Sequence, residues 1–130
     1  EIWAELLHCY LLSKLSTKHS YDLFSANIGI EIKFSQLQSN KVLSLLEKNK
    51  DLNKETNVTS YYLIKTELWI HLNNFIEYCM RFNQNMIKLI DKDKFLDYLK
   101  KLPKVVKKKM KVSGYLKDTT RMTCLEMELF

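Results

Sequence analysis

The chain has 130 residues, of which 46% are hydrophobic, and it carries a net charge of +6 with only two glycines and one proline. That length is enough for one domain around one core, and so few turn-formers exclude an all-β sandwich with many tight turns. No apolar run reaches membrane-spanning length, and Glu1–Ser16 lacks the basic start and small-residue cleavage site of a signal peptide. The expectation is one domain over 1–130, located inside the cell (cytoplasmic or nuclear), with no membrane partner. The chain opens on Glu1 rather than Met, which suggests a processed or trimmed form. Cys9, Cys79 and Cys124 are odd in number and widely spaced, so they imply neither a disulfide framework nor a zinc cluster.

Glu1–Ser16 reads as a helix in which Ile2, Trp3, Leu6, Leu7, Tyr10 and Leu11 form a wide apolar arc. Glu1, Glu5 and His8 share another stripe at helical spacing. Lys18–Phe34 then contains two runs of β-forming residues around Ser25-Ala26-Asn27, the pattern of a tight hairpin. In the second run Ile28, Ile30, Ile32 and Phe34 alternate with Gly29, Glu31 and Lys33, so a strand would put Glu31 and Lys33 on one face. A two-residue loop at Ala26-Asn27 sets Asp22 opposite Glu31. Two carboxylates facing across a ladder repel unless a cation lies between them.

Ser39 reads as the N-cap of a helix to about Asp51, followed by a polar break over Asn53–Asn57. Val58–Lys65 fits either a third strand or the first turns of the next helix. A 3/4 apolar spacing runs from Tyr61 through Leu68, Phe75 and Cys79 to Leu89, predicting a helix over Thr66–Ile90. Glu67–His71 and Glu77–Arg81 read as i, i+4 pairs on its edge. Asp93 is the expected cap of a short helix to Leu102, stopped by Pro103. Ser113-Gly114 is a turn, and the tail fits strand or helix, with Leu125, Met127 and Leu129 alternating against Glu126 and Glu128.

Charge is uneven: ten lysines against three aspartates between Lys88 and Lys111 leave that stretch at +7 and the remainder at −1. Lys100, Lys101, Lys104, Lys107, Lys108, Lys109 and Lys111 are the candidate nucleic-acid contacts, with a solvated lysine face as the alternative. Lysine outnumbers arginine 19 to 2, which weakens any case for bidentate base readout.

Asp22, eight residues, and then Glu31-Ile32-Lys33 in a hydrophobic run resembles the PD-(D/E)XK nuclease superfamily over the first half of the chain, with Tyr21 where the family has proline. The resemblance implies an α/β or α+β fold: a small mixed sheet with a hairpin at about 20–34, flanked by helices, and a helix-rich C-terminal half. It implies Mg²⁺ or Mn²⁺ held by Asp22, Glu31 and the Ile32 carbonyl, joined by Glu5 from the first helix, with His8 as a further candidate. Lys33 would orient the attacking water, and Gln36 or Gln38 would reach the phosphate or a metal-bound water. The activity implied is metal-dependent endonucleolytic hydrolysis, with DNA the expected partner and a homodimer the arrangement that would cut two strands. The rival reading is a mostly α bundle, a non-catalytic interaction module that docks a protein or nucleic acid through its apolar helix and basic patch.

Overall fold

The computed structural model describes residues 1–15, 19–48, 57 and 59–105. Its elements are α1 (Ile2–Lys14), α2 (Ser20–Lys48), a π-helical turn (Thr59–Ile64), α3 (Lys65–Ile70), α4 (Leu72–Phe82) and α5 (Lys92–Lys101). No strand occurs among the described residues, and their β pairing is limited to one isolated bridge between Gln84 and Lys88. The expected mixed sheet is therefore wrong, and the mostly α alternative is the architecture found.

The hairpin expected at 20–34 is the first half of α2. Two of the four residues that alternate as a strand would, Ile28 and Ile32, also fall on one helical face at 3/4 spacing with Phe24, Ser35, Ser39 and Val42. That face is used. Ile28 and Ile32 pack on the core and Val42 is buried, whereas Ile30 on the far side stays 51% exposed. The supposed turn contains Ala26, the best helix former, and no glycine with positive φ. A lone two-stranded ribbon is also marginal in water, and no third strand is present among the described residues to support it.

The other boundaries shift for similar local reasons. Ser39 lies inside α2, fully buried, because its hydroxyl bonds across to another element instead of capping its own. Tyr61–Ile64 is helical, so the strand option for Val58–Lys65 fails over those residues. The expected Thr66–Ile90 helix breaks at His71 (φ −103°, ψ 36°) and ends at Phe82. There Asn83 leaves the helix extended, and Asn85 and Met86 adopt left-handed φ of 51° and 65°. Asparagine tolerates that region better than most residues. The cap of α5 is Asp91, which accepts from the Lys94 N–H at 2.9 Å, and not Asp93. Pro103 follows the end of this helix as expected. Lys107, Lys108, Lys109 and Lys111, the Ser113-Gly114 turn and the tail pattern lie outside the described residues.

The contacts fix the helix directions. Tyr10 near the end of α1 meets Phe24 near the start of α2, with ring centroids 6.3 Å apart, so these two run antiparallel. Ser35 and Ser39 meet Thr66 and Tyr62, making α2 antiparallel to the π turn and α3. Glu1 and Glu5 meet Lys65, and Glu5 meets Trp69, so α1 and α3 run parallel. Between them sits a core of Ile2, Leu6, Leu68, Trp69, Phe75 and Cys79, joined by Tyr78 and Leu102. Trp69, at 0% exposure, is its centre. Tyr78 carries α5 onto α4 by stacking on Tyr98 at 4.5 Å and meeting Phe95 at 5.6 Å.

Candidate interaction surface

Three groups of polar side chains face inward, and each is engaged in joining elements. In the first, Glu5 accepts from Trp69 Nε1 (2.9 Å) through one oxygen and from Lys65 Nζ (2.9 Å) through the other. Lys65 also reaches Glu1 at 3.2 Å, and the Tyr61 hydroxyl donates to the same Glu1 oxygen. Burial disfavours the Lys65 charge, but Glu5 and Glu1 outweigh it and hold this lysine above its ordinary range. Glu1 is held below the usual carboxylate range, its burial being overcome by Tyr61 and Lys65.

In the second group, Thr66 Oγ1 lies 2.8 Å from the carbonyls of both Ser35 and Tyr62, and 2.6 Å from Ser39 Oγ. Ser39 in turn donates to the Tyr62 carbonyl at 2.9 Å. Small hydroxyl residues let α2 and α3 approach closely while their own buried O–H groups are satisfied by helix carbonyls and by each other. In the third, the buried Glu67 accepts from the Val105 N–H at 3.0 and 3.2 Å, and the His71 ring lies 3.0 Å from the Pro103 carbonyl. Glu67 and His71, expected as a surface pair, thus grip the segment that follows α5.

The residues expected to form a catalytic site are scattered. Asp22 and Glu31 are nine positions apart on one helix, which puts them roughly 13 Å apart along the axis and half a turn around it. Asp22 is solvent-exposed and pairs with His19 at 3.5 Å. Lys33 is exposed and lies about 200° round the helix from Glu31. The carbonyl of Ile32 belongs to the helix ladder, and its side chain packs on the core. Gln36 is half-buried, and Gln38 is buried with its side-chain carbonyl oxygen unpartnered. Glu5 and Glu31 do come near each other. Burial, and then Glu5, push the Glu31 carboxyl above its usual range, while Lys65 and His8 pull it back. No group of three or more His, Cys, Asp or Glu side chains among the described residues is placed to hold a metal ion. With no strand among the described residues, the nuclease resemblance and the endonuclease activity read from it are both overturned. Cys9 and Cys79 are buried free thiols whose pKa is raised by burial, so neither is a ready nucleophile.

Two groups of exposed residues are apolar. Helix α1 buries Ile2, Leu6, Cys9 and Ser13 on one side. On the other it exposes Leu7 (56%), Leu11 (53%) and Leu15 (81%) in register, with Tyr10 and Leu12 beside them and Tyr21 of α2 nearby in sequence. A second exposed group follows α4: Ile87 and Ile90 are each 66% exposed, and Met86 and Leu89 are also on the surface. A cleft of about 380 Å³ opens at the α3–α4 break, lined by Ile28, Ile32, Trp69 and the 70–74 stretch. Exposed Lys92, Lys94, Lys100, Lys101 and Lys104 lie on or just after α5. Lys94 sits 4.3 Å over the Phe82 ring and Lys100 pairs with Asp97 at 3.4 Å.

Sequence reasoning missed Lys65 and Trp69, the two residues that engage Glu5. Trp69 had a signal, since a buried indole needs an acceptor and an acid one helix away can supply it. The outward face of α1 was visible as Leu7, Tyr10 and Leu11 in the wide apolar arc, but helical spacing alone does not say which part of an arc is covered. No family model matches the chain, and neither a curated protein nor a solved structure matches it.

Proposed function

We propose that this chain is a non-catalytic helical interaction module that docks a partner protein on the outer face of α1. The observation that carries the reading is that α1 is apolar on both sides and buried on one. A helix hydrophobic all round belongs in an interior, and monomeric proteins seldom expose large contiguous apolar patches without a use for them. The acid, lysine and hydroxyl side chains of the first two polar groups support the same conclusion, because they are spent on joining α1, α2 and α3. Leu7, Leu11 and the C-cap residue Leu15 form an i, i+4, i+8 ridge over about two turns, which suits an apolar helix packing ridge into groove.

The test places a photo-crosslinking residue at Leu11 and, as a control, at the exposed polar position Asp22. A protein captured at Leu11 but not at Asp22 is then purified and titrated against wild type and Leu11→Glu. Direct binding that weakens at least about tenfold in the variant, with its melting temperature unchanged, is the expected result. Equal capture at both positions, or equal binding to the variant, would reject the reading.

A further inference from the structure

The loop between α4 and α5 is built for contact with something that is both apolar and anionic. Met86-Ile87-Lys88-Leu89-Ile90 places four apolar side chains in five positions, and all five residues are exposed. Ile87 and Ile90 are each 66% exposed and carry most of the uncovered apolar area, while Met86 (37%) and Leu89 (38%) add about a third of their surface each. Runs of exposed apolar residues like this one disfavour solubility and are kept where they have a role. Nor is the loop loosely held. Gln84 and Lys88 exchange two backbone hydrogen bonds, both 3.0 Å, and Asn83 Nδ2 donates to the Met86 carbonyl at 3.2 Å. Met86 is held at φ 65°, an unfavourable conformation for a residue with a side chain, at the point where the apolar run begins.

Around this tip the charge is cationic. From Arg81 to Lys104 there are seven basic residues against three aspartates, a net of +4. Two of those aspartates are committed, Asp91 to capping α5 and Asp97 to Lys100. Lys88 lies inside the apolar run, and Lys92 and Lys94 come within four residues of its end, alternating with Asp91 and Asp93; all three lysines are exposed. Met80 (63%) and Phe82 (40%) extend the apolar area onto the end of α4.

We infer that this tip is a peripheral membrane-docking element: Ile87, Ile90, Met86 and Leu89 enter the headgroup–acyl boundary of an anionic lipid surface while the surrounding lysines meet the headgroups. The pairing of shallow apolar burial with electrostatic attraction is what interfacial binding requires. It differs from spanning, for which no described helix is long and apolar enough. A nucleic acid would satisfy the lysines and leave the isoleucines in water, so the apolar run favours lipid. The inference concerns a different surface from the α1 ridge, and Leu11→Glu should leave it untouched.

The experiment is co-sedimentation of the full chain with vesicles of phosphatidylcholine containing about one-third phosphatidylserine, against pure phosphatidylcholine, at low and high salt. Binding to the anionic vesicles at low salt, about tenfold or more above the neutral ones, is expected. It should fall at least about tenfold in Ile87→Asp/Ile90→Asp, whose melting temperature should stay at the wild-type value because both sites are exposed. An Ile87→Trp variant should shift its emission to the blue on binding and be quenched by brominated acyl chains. Trp69 is fully buried and Trp3 is half-buried against Phe75, so the wild-type chain titrated in parallel supplies the blank for their emission. Failure to bind anionic vesicles, binding that survives the double substitution, or an unquenched Trp at position 87 would each overturn the inference. So would equal affinity of wild type and the double variant for duplex DNA together with no vesicle binding, which would assign the lysines to nucleic acid.

Discussion

Replacing Glu5 by alanine tests the central joint of the fold. Trp69 is 0% exposed and its indole N–H donates to Glu5; losing that acceptor strands a buried donor at a cost of about 1–3 kcal/mol. The Lys65 side chain is 11% exposed and would keep only Glu1, whose own side chain is 39% exposed, so a further cost of about 1 kcal/mol follows. Relief of the Glu5–Glu31 repulsion returns a part of this. The net is a loss of about 1.5–3.5 kcal/mol, which lowers the melting temperature by roughly 5–13 °C for a chain of this size. Glu5→Gln keeps an acceptor for the indole and should lose only about 1 kcal/mol. Urea and thermal unfolding by circular dichroism measure both variants. A double-mutant cycle with Lys65→Met should return a coupling of about 1 kcal/mol or more. The reasoning is refuted if Glu5→Ala lies within about 0.5 kcal/mol of wild type, or if glutamine is as damaging as alanine.

Other predictions follow from single positions. Gly29 lies within α2 with negative φ, and a Cβ built there meets nothing within 4 Å; Gly29→Ala should therefore stabilise by about 0.5–1 kcal/mol, and a lower melting temperature would contradict that. Thr66→Val keeps the side-chain shape but removes the hydroxyl shared with Ser35, Ser39 and Tyr62, and should cost about 1–2 kcal/mol in chemical unfolding. The Glu31 carboxyl is raised in the folded state, so the protonated form is favoured there and its contribution to stability declines as pH rises from its ordinary value through the raised one. Glu31→Gln should thus raise the melting temperature near neutral pH, with the gain vanishing below about pH 4. A gain that persists in acid would point to packing instead of charge.

Helical content in α1 and the α4 stripe was legible from apolar spacing, as was the stop at Pro103. The Phe24–Val42 face was legible too, but Ile28–Phe34 satisfies periods of two and of 3.6 at once. Only the partners decide between them, and those are Trp69, Thr66 and Tyr62, some 30–40 positions away in the chain. An acid–x–lysine triplet carries meaning only inside the right backbone, and helical winding turned Glu31 and Lys33 to different sides. The break at His71 and the end at Phe82 were hidden because the apolar spacing runs on through both. What ends α4 is backbone chemistry at Asn83-Gln84-Asn85, which an apolar pattern does not register. Buried Glu67 defeated the usual expectation that a helical carboxylate is solvated, because it accepts from the backbone N–H of Val105, which has no side-chain signature.

The π-helical turn at Thr59–Ile64 has a consequence for how this gene can change. Such a turn holds one residue more than an α-turn and advances everything after it by about 100°. The extra residue lets adjacent tyrosines serve opposite neighbours, Tyr61 reaching Glu1 while Tyr62 offers its carbonyl to Ser39 and Thr66. A single-codon deletion there would yield a more regular helix and a worse protein, since one seam or the other would lose its alignment. Length constrains that stretch as much as the Tyr61 hydroxyl does.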